Sequence, residues 1–340
     1  MISRRRLLSA AVCVGAMSIF GCGDSGSKPA AGGGGAAGGG TVPKEIMIGV
    51  VAKSVSNPVF QAAHVGANDA AEELGGKYHT KIVINIQTPP DEDAAKQAEA
   101  IDNLVRLGAK GIAVSCTSAQ TVTPAINRAV DAGVVVMCFD SDAPASKRFC
   151  YYGTDDVVCG TETMKILAQE MGDKGTVAIL GGKEGAPNLT NRIKGAEDEL
   201  KKHPNMKELS SGPVHHEETP AKAAEMVQQI QRSNPDITGW CMIGGWPLFT
   251  RNALPWAPGS IKVVSVDALP DQISYLQSGH VQVLLAQDCY GWGHKSVEIL
   301  LEKIIDKKDP ASVKIIDPLT KVTKENAAEF SKKWEKWLKK

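Results

Sequence analysis

Apolar positions along this chain gather into short runs that alternate with longer amphipathic stretches. EIMIGVVA (45–52), KIVINIQ (81–87), GIAVSC (111–116) and the apolar run at 134–139 read as strands. Between them lie a helix from Asn57-Pro58 to about Leu74, ending at Gly75-Gly76, a helix over Asp91–Leu107 and one around Thr121–Asp131. Asn57 suits an N-cap with Pro58 at the first helical position, and the glycines suit a helix end. The run within Gly133 to Asp142, GVVVMCFDSD, lacks period-two alternation, which predicts a strand buried on both faces of a parallel sheet. It stops at Asp140, Ser141 and Asp142. In open α/β sheets ligands sit beyond the carboxyl ends of strands, so these residues are candidate hydrogen-bonding groups for a small polar molecule. They equally suit a turn or a cap.

The alternation restarts after a connection through Arg148–Thr154. Helices are expected around Val157–Met171, Leu189–Lys202 and Pro220–Arg232, near Asp271–Leu276 and through Val297–Ile305. Strands are expected at 176–182, near Glu208–Ser211, and at 237–245, 262–267 and 281–287. Repeated βα steps imply doubly wound parallel sheets, here two lobes of similar size with a cleft between them. At the carboxy terminus Thr323 suits an N-cap, and Phe330, Trp334, Trp337 and Leu338 fall at the spacing of an amphipathic helix docked on a lobe.

The first residues do not fit this pattern. Arg4, Arg5 and Arg6 lead into an apolar run from Leu7 to Phe20 and then Gly21-Cys22, the layout of an export signal over residues 1–21. Ile19-Phe20-Gly21-Cys22 resembles a lipoprotein processing box, which would make Cys22 the lipidated first residue. Ser3 to Leu8 is also similar to a twin-arginine signal, and equally to an ordinary positive start. Residues 22–43, rich in Gly, Ala, Ser and Pro, read as a flexible linker from a lipid anchor, spanning roughly 25 Å. The protein is therefore expected outside the cytoplasm, at the periplasm or cell surface, held to a membrane by its lipid.

Composition narrows the function further. With 43% hydrophobic and 22% charged residues, the 340-residue chain is globular and holds about two domains. Its 38 basic and 38 acidic residues balance, and nothing in their distribution suggests a nucleic-acid partner. Among the eight cysteines no pair has C-x-x-C spacing, which removes zinc and thioredoxin-like readings. Cys116, Cys138 and Cys241 read as buried hydrophobes, and Cys150 with Cys159 is a candidate disulfide. No G-x-S-x-G or P-loop is present, and no G-x-G-x-x-G opens a helix after a strand. His215-His216-Glu217-Glu218 reads as a solvated loop ahead of a metal site. No catalytic residue, cofactor or metal is expected, and the chain is not read as an enzyme.

What remains are polar and aromatic residues at strand ends: Lys53, Asn57 and Phe60 after the first strand, and Asp140, Ser141 and Asp142 after the fourth. Arg192 and Trp246 follow strands of the second lobe, and Asp267 and Gln287 end two others. Carboxylates, amides and Arg can bond paired hydroxyls, and aromatic faces can cover the C–H patches of a sugar ring. That is a site for a neutral polyhydroxylated molecule.

The runs VVAKSVSNPVF (50–60), GAKGIAVSCTSAQTVTPAINRAVDAGVVVMCFDSD (108–142), YYGTDD (151–156), NRIKGA (191–196), SNPDITG (233–239) and VVSVDALPD (263–271) resemble ribose-type periplasmic sugar-binding proteins, the capture components of ABC importers. The resemblance covers residues 45 to 320 and implies a type I periplasmic-binding-protein fold, a monomer whose two lobes close on a sugar. Three chain crossings are implied near Thr154, Gln287–Asp288 and Ile316. Lobe 1 would then comprise 44–153 plus 288–315, and lobe 2 154–287 plus 316–340. By position Asn57 and Phe60 match the N-P-x-F motif, Asp140 the acid taking two hydroxyls, and Arg192 the R-x-x-G arginine. Asp267 and Gln287 match the later acid and the hinge glutamine. Asp140, Asp142 and Asp267 are expected to accept, Arg192, Lys53, Asn57 and Gln287 to donate, and Phe60 and Trp246 to stack. The departures are Ser141-Asp142 where ribose binders place Arg, Val59 for a neighbouring aromatic, and Trp246 near an expected Asn. Lys53 with the D-S-D triplet is more similar to branches that bind deoxyhexoses, pentoses or furanose-like quorum signals. The expected partners are a monosaccharide or polyol and an ABC permease. A sensor lipoprotein presenting ligand to a receptor kinase or chemoreceptor, and a periplasmic sugar-acting enzyme, are the alternatives.

Overall fold

The structure, a computed structural model, describes residues 42–338, so the export signal, Cys22 and most of the linker lie outside the described residues. The first lobe opens with β1 (Glu45–Val51), α1 (Pro58–Tyr78), β2 (Lys81–Ile86), α2 (Ala94–Arg106), β3 (Gly111–Val114), α3 (Ala119–Asp131), β4 (Val135–Phe139) and β5 (Tyr151–Gly153). The chain then builds α4 (Asp156–Met171), β6 (Gly175–Gly182), α5 (Pro187–Leu200), β7 (Met206–Glu208), β8 (Val214–His215), α6 (Pro220–Ser233) and β9 (Ile237–Met242). A 3₁₀ turn at Trp246–Phe249 precedes β10 (Lys262–Val266), α7 (Pro270–Ser278) and β11 (Val283–Ala286). Then come α8 (Cys289–Leu301), a π turn at Glu302–Asp306, β12 (Lys314–Ile316), β13 (Thr320–Val322) and α9 (Ala327–Trp337).

One sheet runs in the order β12-β5-β4-β3-β1-β2, every pairing parallel. The other runs β13-β11-β10-β9-β6-β7, with β8 also paired to β6 and only β13 antiparallel. The chain thus passes between sheets three times: after β5, between β11 and α8, and between β12 and β13. Strands β3 and β11 are buried along their whole length, and β4 is buried after its first residue, as expected where helices cover both faces. On one face of the first sheet Ile101, Leu104, Val122 and Ile126 are fully enclosed. On the other, α1 and α8 pack side by side.

Two helix crossings are unusually close. A Cβ at Gly66 of α1 would overlap the carbonyl oxygen of Tyr290, and one at Gly293 of α8 would overlap that of Ala63. The second lobe repeats the arrangement: Gly160 of α4 faces the carbonyl of Arg192, and Gly195 of α5 that of Val157. In each lobe a reciprocal glycine pair lets the helix backbones touch.

Several boundaries differ from the sequence reading. Helix α1 does not stop at Gly75-Gly76 but continues to Tyr78, where His79 supplies the left-handed cap (φ 51°) and donates to the carbonyls of Gly75 and Gly76. Helix α8 begins eight residues earlier than the apolar spacing suggested, because the Asp288 carboxylate caps it at Gly291 N. Four strands went unread: β5, β8, β12 and β13, each two or three residues long and too short to show a period. Cys150 and Cys159 are both free thiols, so the candidate disulfide is not formed.

Candidate functional site

The loops after β1, β4, β6, β10 and β11 converge on a cavity lined by both lobes. Lys53, Asn57, Phe60, Asp140, Arg192, Trp246, Asp267 and Gln287 all line it. The space they enclose is about 30 Å³, roughly the share of one water in the liquid. These side chains thus stand close together, with little open space between them.

From the first lobe Asn57 caps α1 by accepting from Val59 N at 3.3 Å, which fixes its side chain at the cavity wall. Phe60, one helical turn on, is 2% exposed and packs against Trp292 of α8 with ring centroids 6.0 Å apart. Asp140 follows the last residue of β4 in a left-handed backbone (φ 55°), its amide bonded to the Tyr152 carbonyl at 3.1 Å. Its Oδ2 accepts from Ser115 Oγ at 2.6 Å, leaving Oδ1 for a further donor. Lys53 is buried at the end of β1 and donates to Asn188 Oδ1 of α5 at 3.0 Å, a direct bond between lobes. Burial works to lower its pKa, but Asp140, Glu218 and Glu92 outweigh burial, so the ammonium is retained.

The second lobe supplies a connected polar network. Arg192 of α5 donates from Nε to Asp156 Oδ1 at 2.8 Å, from Nη1 to the Ile243 carbonyl at 3.1 Å and from Nη2 to Gln287 Oε1 at 2.8 Å. Gln287 passes the chain on, donating to Asp267 Oδ1 at 2.8 Å. Its Oε1 also accepts from Thr154 Oγ1 at 3.0 Å, which ties together two of the three crossings between sheets. Asp267 repeats the geometry of Asp140: it follows β10 at φ 69°, and its amide is anchored on the Leu285 carbonyl. Burial raises its carboxyl above the ordinary range, with Arg192 opposing. Burial likewise raises Asp156, to about 7, against the pull of Arg192.

Two expected ligand residues are not brought to the cavity. Asp142 is held by Arg148, whose Nη2 donates to its Oδ2 at 2.6 Å and whose Nε reaches Oδ1. The left-handed turn at Asp140 redirects the chain, so the strand's alternation does not carry on to Asp142. Ser141 is fully buried behind the wall, and its hydroxyl has no partner among the described residues. Conversely, sequence reasoning missed Asn188, Trp292 and Glu218, which also line the cavity. Asn188 sits one residue inside a Pro-initiated helix, and that helix start was the available signal. Trp292 lay in a stretch with no recognised element.

A larger chamber of about 730 Å³ lies beside this cavity, between the loops before α1 and α2 and those before α5 and α6. Glu218 lines both spaces. The four-residue His215–Glu218 run, expected to be solvated, is part of this chamber: His216 is 8% exposed and meets Trp246 edge-on at 5.0 Å. Among the described residues no group of His, Cys, Asp or Glu is placed to hold a metal ion.

The comparisons with known proteins agree with this architecture. The family described as "Periplasmic binding protein domain" matches residues 48–309. The D-allose-binding periplasmic protein of Escherichia coli is 24% identical over 287 residues, 79% of this chain and 90% of its own. The ribose import binding protein RbsB of Haemophilus influenzae is 24% identical over 274 residues, with the same coverage. A solved ABC transporter solute binding protein from Burkholderia graminis, in complex with D-arabinose, is 28% identical. It superposes with a TM-score of 0.73 over 83% of this chain and 96% of its own. A solute binding protein from Agrobacterium vitis with bound D-fucose, 23% identical, shares the fold at a TM-score of 0.76 over 84% of this chain and 98% of its own. With two parallel sheets, three crossings and a cavity at the facing strand ends, this chain belongs to the periplasmic binding protein domain family.

Proposed function

We propose that this chain is an extracytoplasmic solute-binding protein that captures a monosaccharide-like ligand by closure of its lobes and delivers it to an ABC sugar importer. One observation carries the reading: polar groups from both lobes, Asp140, Asn57 and Lys53 on one side and Arg192 and Asp267 on the other, line a single cavity. A ligand bonded to both sets stabilises the closed arrangement over an open one, which is population shift by differential contact. Asp140 and Asp267 accept sugar hydroxyls, Arg192 and Asn57 donate, and Phe60 with Trp246 covers the ring faces. Asp142 has no direct part in this mechanism, since Arg148 occupies it. Sugars named for the relatives, D-allose, ribose and D-arabinose, define the size class to be tested first. Cys22 is the proposed site of lipidation, with residues 22–43 as the tether.

The test is isothermal titration of residues 44–340 with pentoses, hexoses, deoxyhexoses and polyols. Dissociation constants in the micromolar range or tighter for at least one sugar are expected. A panel without heat or thermal shift, at sugar concentrations of about 10 mM, would overturn the reading.

A further inference from the structure

The loops ahead of α2 and α6 meet across the cleft, and each brings an acidic side chain to the meeting point. Glu92 comes from the first lobe and Glu218 from the second, and both line the outer chamber. No N–H or hydroxyl donor among the described residues reaches either Glu92 carboxyl oxygen. The group within hydrogen-bonding reach is the Glu218 carboxyl. Two carboxylates have no hydrogen to share, so this contact is a bond only when one of the pair carries a proton. Glu218 Oε1 already accepts from the backbone N–H of Lys183 at 3.2 Å, whereas Glu92 has no such donor. The proton therefore belongs on Glu92. The surrounding charges agree. From the end of β1 the buried Lys53 ammonium faces both carboxyls and Asp140 as well, so one positive charge serves three acids. From the loop ahead of α5 come Glu184 and Lys183, whose Nζ donates to the Glu92 carbonyl at 3.4 Å. His215, His216 and Glu217 precede Glu218, and burial lowers the His216 pKa, so that ring adds no positive charge near neutrality. Asp91 and Asp93 flank Glu92, with Asp93 engaged in capping α2. Burial, with Glu218 adding to it and Lys53 and Lys183 opposing, raises the Glu92 carboxyl to about 8.

We propose that Glu92 and Glu218 form a proton-dependent latch between the lobes, so that closure on a sugar takes up a proton from solvent. The inference rests on the lobe-closure reading above and adds a second ligand to it, the proton. With the lobes apart, Glu92 faces water and ionises as an ordinary carboxyl. With them together, it is held protonated and donates to Glu218. The proton passes from buffer to a Glu92 carboxylate oxygen, and no covalent bond between other atoms changes. An acid whose pKa is raised in one state favours that state at low pH, and the preference is withdrawn as pH rises through the raised value. Affinity for a neutral sugar therefore falls with rising pH from the ordinary carboxyl range up to about 8. Above it both forms are ionised, two carboxylates face each other across the cleft, and the dependence levels off.

Isothermal titration of residues 44–340 with the sugar panel, beginning with D-ribose, D-arabinose, D-allose and D-fucose, tests this at about pH 7.4 in phosphate and in Tris. The two buffers differ in ionisation enthalpy, and a neutral sugar brings no proton of its own, so the difference in heat counts the protons taken up. Uptake of about 0.5–1 proton per sugar is expected, with affinity falling about tenfold between pH 7 and 9. Glu92→Gln, with folding checked by circular dichroism, is expected to bind sugar with uptake below about 0.2 proton and an affinity constant within about twofold over that range. Glu218→Gln, which offers Glu92 an N–H donor in place of an acceptor, should lower the uptake by about half or more. Sugar binding with equal heats in both buffers overturns the latch and leaves the sugar-binding function intact. Uptake that persists in Glu92→Gln also overturns it, since the proton then goes to another group. Failure of every sugar to bind removes both readings.

Discussion

Asp140 and Asp267 occupy equivalent places, each one residue past a central strand, each with a left-handed backbone and an amide anchored on the neighbouring strand. A non-glycine residue in that conformation costs about 1–2 kcal/mol and persists where surrounding bonds impose it. The strain sets the carboxylates at the cavity wall. Asp140→Ala keeps the strain and loses the acceptor; Asp140→Gly loses both. Both variants should lose at least 100-fold in sugar affinity by calorimetry, while the Gly variant melts above the Ala variant, a difference of about 1 kcal/mol. Equal melting would show that the turn is unstrained. Glu92 gives a second prediction at this scale. Burial first, and then Glu218, push its carboxyl to about 8, while Lys53 and Lys183 pull the other way. An acid whose folded pKa is raised favours folding while protonated, and that support is withdrawn as pH rises from about 4.5 through 8. Glu92→Gln holds the neutral form at every pH. Its melting temperature relative to wild type should therefore climb between pH 5 and 8.5. A flat difference would mean that Glu92 ionises freely.

Among the elements, the glycine pairs decide where the ligand-bearing helices lie. Gly160 lets α4 rest on the backbone of Arg192 itself. Gly160→Ala must push α5 outward, and the guanidinium with it, so both stability and sugar affinity should fall, the stability by about 1–3 kcal/mol. Gly76→Ala, where an added Cβ meets nothing within 4 Å and the residue is helical, should instead stabilise by about 0.5–1 kcal/mol. Denaturant melts of the two variants separate a packing requirement from a general intolerance of alanine. The elements also show what could be read from the chain. Long runs such as β6, and capped helices such as α2 at Asp93, carry enough periodic signal to be placed within a few residues. Strands β12 and β13 exist only because β5 and β11 offer them an edge, so no local pattern marks them. The same holds in the site: Asp140 and Gln287 stand one residue past strand ends and Arg192 lies in the helix that follows β6, places that the sequence pattern marks. Arg148, which takes Asp142 out of the cavity, is a tertiary partner that spacing does not announce.

For the whole molecule, the proposed closure would make the interlobe bonds part of the balance between open and shut. Lys53 to Asn188 is a buried charge-assisted bond across the cleft, and Thr154 to Gln287 braces the crossings. A hydrogen bond to a charged group contributes about 1.5–3 kcal/mol, so Asn188→Ala should weaken sugar binding about 10- to 100-fold. Small-angle scattering of that variant without sugar should give a larger radius of gyration than wild type, and saturating sugar should bring the two together. Identical unliganded radii would place the control of closure elsewhere.

The return of the chain to its first sheet also orders its assembly in time. Helix α8, whose Gly293 meets Ala63 across more than two hundred residues of sequence, and strand β12 leave a ribosome only after the entire second sheet apart from β13. Until then the face of α1 and the edge of β5 stay uncovered, with apolar surface that a chaperone or a translocation channel can hold. The first lobe is begun early and finished late. A nascent chain halted at residue 287 has no means of completing either half, so the molecule remains threadable until nearly all of it has been made.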